Sequence, residues 1–134
     1  MPRTDKKLIG GVAVIVKNGK HLLIKQSKHK PLSGQWRHPG GRFEPGESYA
    51  EGIKREIKEE LDIEIEVKDQ PFYTAKSNYY PGYFGFFEAS WIRGDIKLDT
   101  REAEEFGWFD AAEIKNLPLM PPTEITYKKL LKTK

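Results

Sequence analysis

Cysteine is absent from the 134 residues, so the chain has neither a disulfide framework nor a thiolate metal site. It also lacks any apolar run long enough to span a bilayer, and its start carries no charged-then-apolar leader. These absences read as a cytoplasmic protein with no membrane partner. Internal repeats, low-complexity tracts and Pro- or Gly-rich linkers are missing too. A chain of this length has room for one domain with a real core, so residues 1–134 read as a single domain.

Hydrophobic residues at 37% and charged residues at 32% fit a soluble globular protein. The net charge of +3 is unevenly spread. Lys6, Lys7, Lys17, Lys20, Lys25, Lys28 and Lys30 load the front, and Lys128, Lys129, Lys132 and Lys134 load the tail, while the middle is acidic. A basic rim around a carboxylate pocket would draw polyphosphates toward a bound cation. Lysines scattered for solubility account equally well for any one of these positions. A nucleic-acid-binding domain is disfavoured, because no RNA- or DNA-binding signature accompanies the basic residues and the acidic centre repels phosphate unless a metal intervenes.

The stretch Gly41–Ile63 carries the chemistry. Ser48 and Glu51 form an S-x-x-E capping box that opens a helix. With about 100° per residue, Glu56, Glu59 and Glu60 fall within roughly 100° of one another on one face. Like charges at i,i+3 and i,i+4 destabilise a helix by a few tenths of a kcal/mol, and a hard divalent cation such as Mg²⁺ offsets that repulsion. Tyr49, Ala50, Ile53, Ile57 and Leu61 occupy an adjoining arc and would seat the helix on a core. Gly52 falls between the glutamates, where it suggests room kept for a ligand or a close backbone approach. The turn GGRFEPGE ahead of the helix offers backbone N–H groups suited to an anion. Taken alone, Arg-Glu-x-x-Glu-Glu is more often a solvated face.

The upstream turn changes that balance. Gly41, Glu47, Arg55-Glu56-Ile57, Glu59-Glu60 and Ile63 stand at the spacings of the Nudix box, G-x5-E-x7-R-E-U-x-E-E-x-G-U, and the chain resembles that family. Asp62 is the one departure, standing where the box has Gly at the helix end. Gly there would serve a left-handed cap, which Asp reaches at some cost and with its charge at the unfavourable end of the helix dipole. Trp36-Arg37-His38-Pro39-Gly40-Gly41 resembles the W-x-x-P-G-G entry to the box. His38 stands where an apolar residue is commoner, and reads as a lining residue.

The resemblance implies an α+β Nudix fold, a mixed β-sheet sandwiched between helices (α/β/α). It also implies a Mg²⁺-dependent pyrophosphohydrolase, with Mn²⁺ as a substitute, that cleaves a nucleoside diphosphate linked to another group. Glu56, Glu59 and Glu60 are its implied metal ligands and catalytic carboxylates, and the Gly41 carbonyl is a further ligand. Glu47 would pair with the catalytic Arg55 to lock the turn against the helix. One more acid outside the box is expected; of Glu102, Glu104 and Glu105, the distance to Trp108 favours Glu102, with a solvated acidic loop as the bland account. Substrate-binding candidates are Trp36, Arg37, Tyr79 and Tyr80, with Phe72, Tyr83 and Phe84 as further stacking surfaces, although aromatics on strands are more often core and most of these are expected there.

A MutT-like nucleoside triphosphate hydrolase giving a nucleoside monophosphate and pyrophosphate is the preferred activity. Tyr79 and Tyr80 keep a dinucleoside-polyphosphate hydrolase in view, and Pro81 lies too far on for the ADP-ribose signal. A non-catalytic nucleotide-sensing module is the alternative of another class, and a homodimer is compatible with the resemblance.

Around the box, Leu8–Val16 reads as a buried strand with a bulge at Gly10-Gly11, joined through Asn18-Gly19 to a partner at His21–Lys25. Ser27–Gln35 reads as a polar loop. Ile63, Ile65 and Val67 alternate with charged residues in a half-buried strand, followed by strands at Phe72–Ser77, Tyr83–Ile92 and Glu105–Phe109. Asp110 and Glu113 form a second capping box for a short helix to about Asn116, and Thr123 caps an expected helix through Leu131.

Overall fold

The computed structural model describes residues 7–77 and 81–121. The elements run β1 (Leu8–Lys17), β2 (Lys20–Gln26), β3 (Trp36–Arg37), β4 (Gly40–Arg42), α1 (Tyr49–Leu61), β5 (Glu64–Val67), β6 (Tyr73–Lys76), β7 (Tyr83–Arg93), β8 (Ala103–Phe109) and α2 (Ala111–Ile114). The expected helix after Thr123 lies outside the described residues, as do Tyr79 and Tyr80.

β1 and β7 form the parallel centre of a mixed sheet, and the other strand pairs among the described residues are antiparallel, with one isolated parallel bridge between Trp36 and Leu119. The path runs β3-β2-β1-β7-β5, with β4 on β1, β6 on β7 and β8 on β2. Asn18 and Gly19 both take positive φ (52° and 75°), the two-residue turn whose twist matches the strands it joins. The register of β1 against β7 shifts between Leu8 and Gly10, one residue ahead of the Gly10-Gly11 pair where the sequence suggests a bulge.

Alternation along the strands sorts the core into layers. Ala13 and Ile15 of β1, with Leu22 and Ile24 of β2, pack against Ile53, Ile57 and Leu61 of α1. The intervening Leu23 points the other way and joins Trp36 and Ile114 of α2. Val12 and Val14 pack on that second face with Ala75 and Phe86. Among the described residues α1 thus lies on one face of the mixed sheet, and the one-turn α2 covers the part of the other face around Leu23 and Trp36.

Local signals account for α1. The Ser48 hydroxyl accepts from the Glu51 N–H at 3.1 Å, and the Ser48 N–H donates to Glu51 Oε1 at 3.0 Å. Ile53, Ile57 and Leu61 are fully buried, one stripe of an amphipathic helix. Gly52 is tight because the Phe43 ring lies on it; a Cβ there would meet Phe43 Cε1 at 3.0 Å. At the far end Asp62 adopts φ 59°, the left-handed cap, and its N–H donates to the Lys58 carbonyl.

Two short strands, unassigned in the sequence, occupy the entry to the box after the Ser27–Gln35 loop. β3 and β4 carry two and three residues, too few for a period to show. β8 also starts earlier than expected, at Ala103 rather than Glu105, because Ala103 pairs with Gln26 across a bulge. α2 ends at Ile114, one turn after its Asp110 cap.

Candidate active site

β4 delivers the glycines to the helix. It pairs with the first half of β1, Gly11 opposite Gly41 and Val12 opposite Gly40, and so brings Gly41 against Glu56. A Cβ on Gly41 would lie 2.6 Å from Glu56 Oε2, so only glycine lets that carboxylate come up to the strand.

Arg55 organises the outer half of the site. Its Nε and Nη2 donate to the two oxygens of Glu47 at 2.6 and 3.0 Å, a bidentate pair. Nη2 also donates to the Arg42 carbonyl, and Nη1 donates to Glu56 at 3.1 Å and Glu59 at 3.2 Å. The turn, β4 and the helix are thereby held by one guanidinium. The Glu47 carboxyl sits below its usual range because Arg55 and the Glu44 N–H donate to it.

Glu60 departs from the expected open face. It is 2% exposed, with Arg37 Nη2 on Oε2 at 2.9 Å and the Gly40 N–H on Oε1 at 2.9 Å. Burial pushes its pKa up, while Arg37 pulls the other way. Glu56 is raised as well, by burial first and then by the negative charge of Glu60. Glu59 is different: its carboxylate is 57% exposed and turned to Arg55. Among the described residues no three His, Cys, Asp or Glu side chains are gathered so as to hold a metal ion.

The donor chemistry of the inner pair nevertheless fits a hard dication. Burial disfavours the charged forms of both Glu56 and Glu60; the charge of Glu60 adds to this at Glu56, and that of Glu102 adds to it at Glu60. Mg²⁺ characteristically uses one or two carboxylates and leaves its other positions to water and substrate phosphate.

Of the three acids before Trp108, Glu102 reaches this site. The Asp99 N–H donates to the Glu60 carbonyl at 3.0 Å and the Glu102 N–H to the Asp99 carbonyl at 2.9 Å, a turn fastened to the end of α1. Glu102 then pairs with Lys30 at 2.8 Å and adds its negative charge to the field at Glu60. Glu104 and Glu105 instead lie beside Lys25 of β2.

These side chains surround one cavity of about 500 Å³. Glu56, Glu60, Glu102, Arg37, Arg42 and Lys30 give it a charged lining, and Val12, Leu32, Phe84, Met120 and Pro121 an apolar one. Met120 arrives through β3: its N–H donates to the Trp36 carbonyl, and the Trp36 N–H to the Pro118 carbonyl.

The substrate-binding candidates separate here. Trp36 is a correction: it is buried, edge-on to Phe109 at 5.0 Å, and spent on the core. Arg37 lines the cavity, but its guanidinium is committed to Glu60, Gln26 and the His38 and Gly40 carbonyls. Among Phe72, Tyr83 and Phe84, Phe84 alone lines the cavity. His38 is fully buried near His21 and Phe86, and burial, aided by His21, pushes its pKa down to about 3. Gln26, Leu32 and Met120 carried no sequence signal, since polar-loop and proline-flanked positions have no period to betray them.

Comparison with known proteins identifies the family. Residues 7–132 match the NUDIX domain. The chain is 32% identical over 116 residues to an NAD-capped RNA hydrolase NudC of Chromobacterium violaceum, covering 86% of this chain and 42% of that protein. It is 30% identical over 118 residues to a CTP pyrophosphohydrolase of Escherichia coli, covering 86% and 85%. This chain therefore spans under half of the first relative and most of the second. A solved MutT NUDIX hydrolase from Burkholderia pseudomallei superposes with a TM-score of 0.75 at 27% identity, over 89% of this chain and 94% of that one. No helix among the described residues is long and apolar enough to cross a membrane. The chain belongs to the Nudix family of hydrolases.

Proposed function

We propose that the chain is a Mg²⁺-dependent pyrophosphohydrolase acting on a nucleoside triphosphate and releasing the monophosphate and pyrophosphate. The observation that carries this is the convergence of Glu56, Glu60 and Glu102 on one cavity that also has an apolar lining. By its name, the E. coli relative that covers most of both chains acts on CTP, which supports the triphosphate class.

Glu56 and Glu60 would hold the cation, with the Gly41 backbone carbonyl as a further oxygen and Mn²⁺ as a substitute. Bound there, Mg²⁺ supplies charge neutralisation on the phosphates and activation of water. Arg37 and the Gly40 N–H aim Glu60, and Arg55 holds Glu56 and the turn in register. Glu59 stands behind them on Arg55. Arg42 and Lys30 meet the phosphate charge. Glu102 takes the proton of the attacking water as the new P–O bond forms and the anhydride P–O bond breaks.

The test is product analysis with Mg²⁺ on a panel of nucleoside triphosphates and their oxidised forms, ADP-ribose and a dinucleoside polyphosphate. Turnover of the triphosphates, lost in Glu60→Gln, is the expected result. Turnover confined to ADP-ribose or the dinucleoside would overturn the substrate class. Nucleotide binding without turnover of any compound would replace the enzyme by a nucleotide sensor.

A further inference from the structure

Among the described residues, Asn18, Leu32 and Asp62 are the non-glycine residues with positive φ. Asn18 closes the β1–β2 hairpin and Asp62 caps α1, two places where short polar side chains commonly take this conformation. Leu32 has no such excuse. Its φ is 61°, its side chain is aliphatic, and it belongs to none of the hydrophobic clusters that make up the core. Core burial therefore does not repay the strain. What Leu32 does line is the active-site cavity.

The strained turn is held at several points. The Gln35 N–H donates to the Leu32 carbonyl at 3.2 Å, the Gly34 N–H to the Gln26 carbonyl at 3.1 Å, and the Gln26 N–H to the Gln35 carbonyl at 2.8 Å. The buried Gln26 side chain donates from Nε2 to the Pro31 carbonyl at 3.0 Å. Its Oε1 accepts from Arg37 Nε at 3.1 Å, and Arg37 reaches Glu60. A continuous chain of hydrogen bonds thus ties the loop that presents Leu32 to the carboxylate that would hold the cation. Strain held this firmly beside a ligand cavity marks a position shaped for binding.

We propose that Leu32 is a substrate-binding residue that contacts the nucleobase. Locked in its left-handed conformation by the Gln26 network, it presents an apolar wall to the base of a nucleotide whose phosphates lie at Glu56 and Glu60. Leu32 and Phe84 supply apolar lining, which suits the flat, weakly hydrated face of a nucleobase. This inference rests on the nucleotide hydrolase reading above.

The test compares the parent with Leu32→Gly, Leu32→Ala and Leu32→Met. Three quantities are measured: KM and kcat on the triphosphate turned over fastest in the panel, inhibition by the matching monophosphate, and Tm. Leu32→Gly and Leu32→Ala are expected to raise KM and the monophosphate inhibition constant roughly tenfold, with a smaller effect on kcat. Leu32→Met, which keeps the apolar body, stays within about threefold of the parent. Glycine accepts positive φ freely, so the Tm of Leu32→Gly falls by no more than about 3 °C. KM and inhibition within about twofold of the parent in both truncations would overturn the proposal, as would a loss confined to kcat. A Tm drop above about 3 °C in Leu32→Gly would show the leucine to be structural instead. If the parent turns over its substrate while the variants match it, this inference alone fails. If the parent neither turns over nor binds any nucleotide, the hydrolase reading fails with it.

Discussion

Glu60 and His38 are two buried titratable side chains, and each answers to its own neighbours. Glu60 keeps an ion pair with Arg37 in a place that is 2% exposed, whereas His38 is buried beside another histidine and held neutral. The signs of their pH effects are opposed. The folded pKa of His38 is depressed to about 3 from 6.5, so its contribution to stability is complete above pH 6.5 and is lost as the pH falls toward 3. Glu56 and Glu60 are raised, so the folded state takes up their protons more readily and gains stability as the pH falls. His38→Leu isolates the first effect. Between pH 8 and pH 5 the parent should lose about 2 kcal/mol more than the variant, measured by urea unfolding at each pH. Equal losses in parent and variant would mean that His38 is accessible to protons in the fold.

On the scale of an element, α1 is specified almost wholly by its own residues, including its one irregular position. Asp62 takes the left-handed cap that glycine occupies in the box motif, and Lys58 pairs with it at 2.8 Å, one turn back. That pairing draws the Asp62 carboxyl below its usual range and offsets the repulsion from the helix C-terminus. Both side chains are exposed, so the ion pair repays little of the backbone strain. Asp62→Gly is expected to raise Tm by about 3 °C with kcat unchanged, checked by thermal melting beside a steady-state assay. A large gain in kcat at constant Tm would place Asp62 in the catalytic path, where the structure does not put it.

For the whole molecule, the sheet brings residues from β2, β3, β4, α1 and the turn before β8 to one cavity, and its inner carboxylates are left crowded. A ligand that binds only the folded state stabilises it by mass action, by about 2.7 kcal/mol at a hundredfold excess over Kd. Saturating Mg²⁺ should therefore raise Tm in the absence of nucleotide, with EDTA reversing the rise and Glu60→Gln abolishing it. A parent whose Tm ignores Mg²⁺ would remove Glu56 and Glu60 as the cation's holders.

Short-range grammar determined much of this protein. The Asn18-Gly19 hairpin, both capping boxes, the buried stripe of α1 and the alternating strand at Ile63, Ile65 and Val67 all follow from residues within a few positions of one another. Turn sterics, orphaned helix donors and side-chain period act at that range, so they are visible in the sequence. The spacing of the box likewise put Arg55 and Glu56 side by side on α1, with Glu47 just ahead of its Ser48 cap. Only the tertiary structure decided the rest. Arg37 and Gly40 meet Glu60 across separations of 23 and 20 residues, and that contact turns a helix-face glutamate into a buried one. Trp36 passes to the core because α2 and β8 cover it, and Glu102 is chosen over Glu104 and Glu105 by a turn fastened to the end of α1. Leu32 acquires its strained backbone from the Gln26 network, which no local pattern encodes. These outcomes depend on which distant surfaces close on one another, and a burial or an ion pair exists only once they have closed.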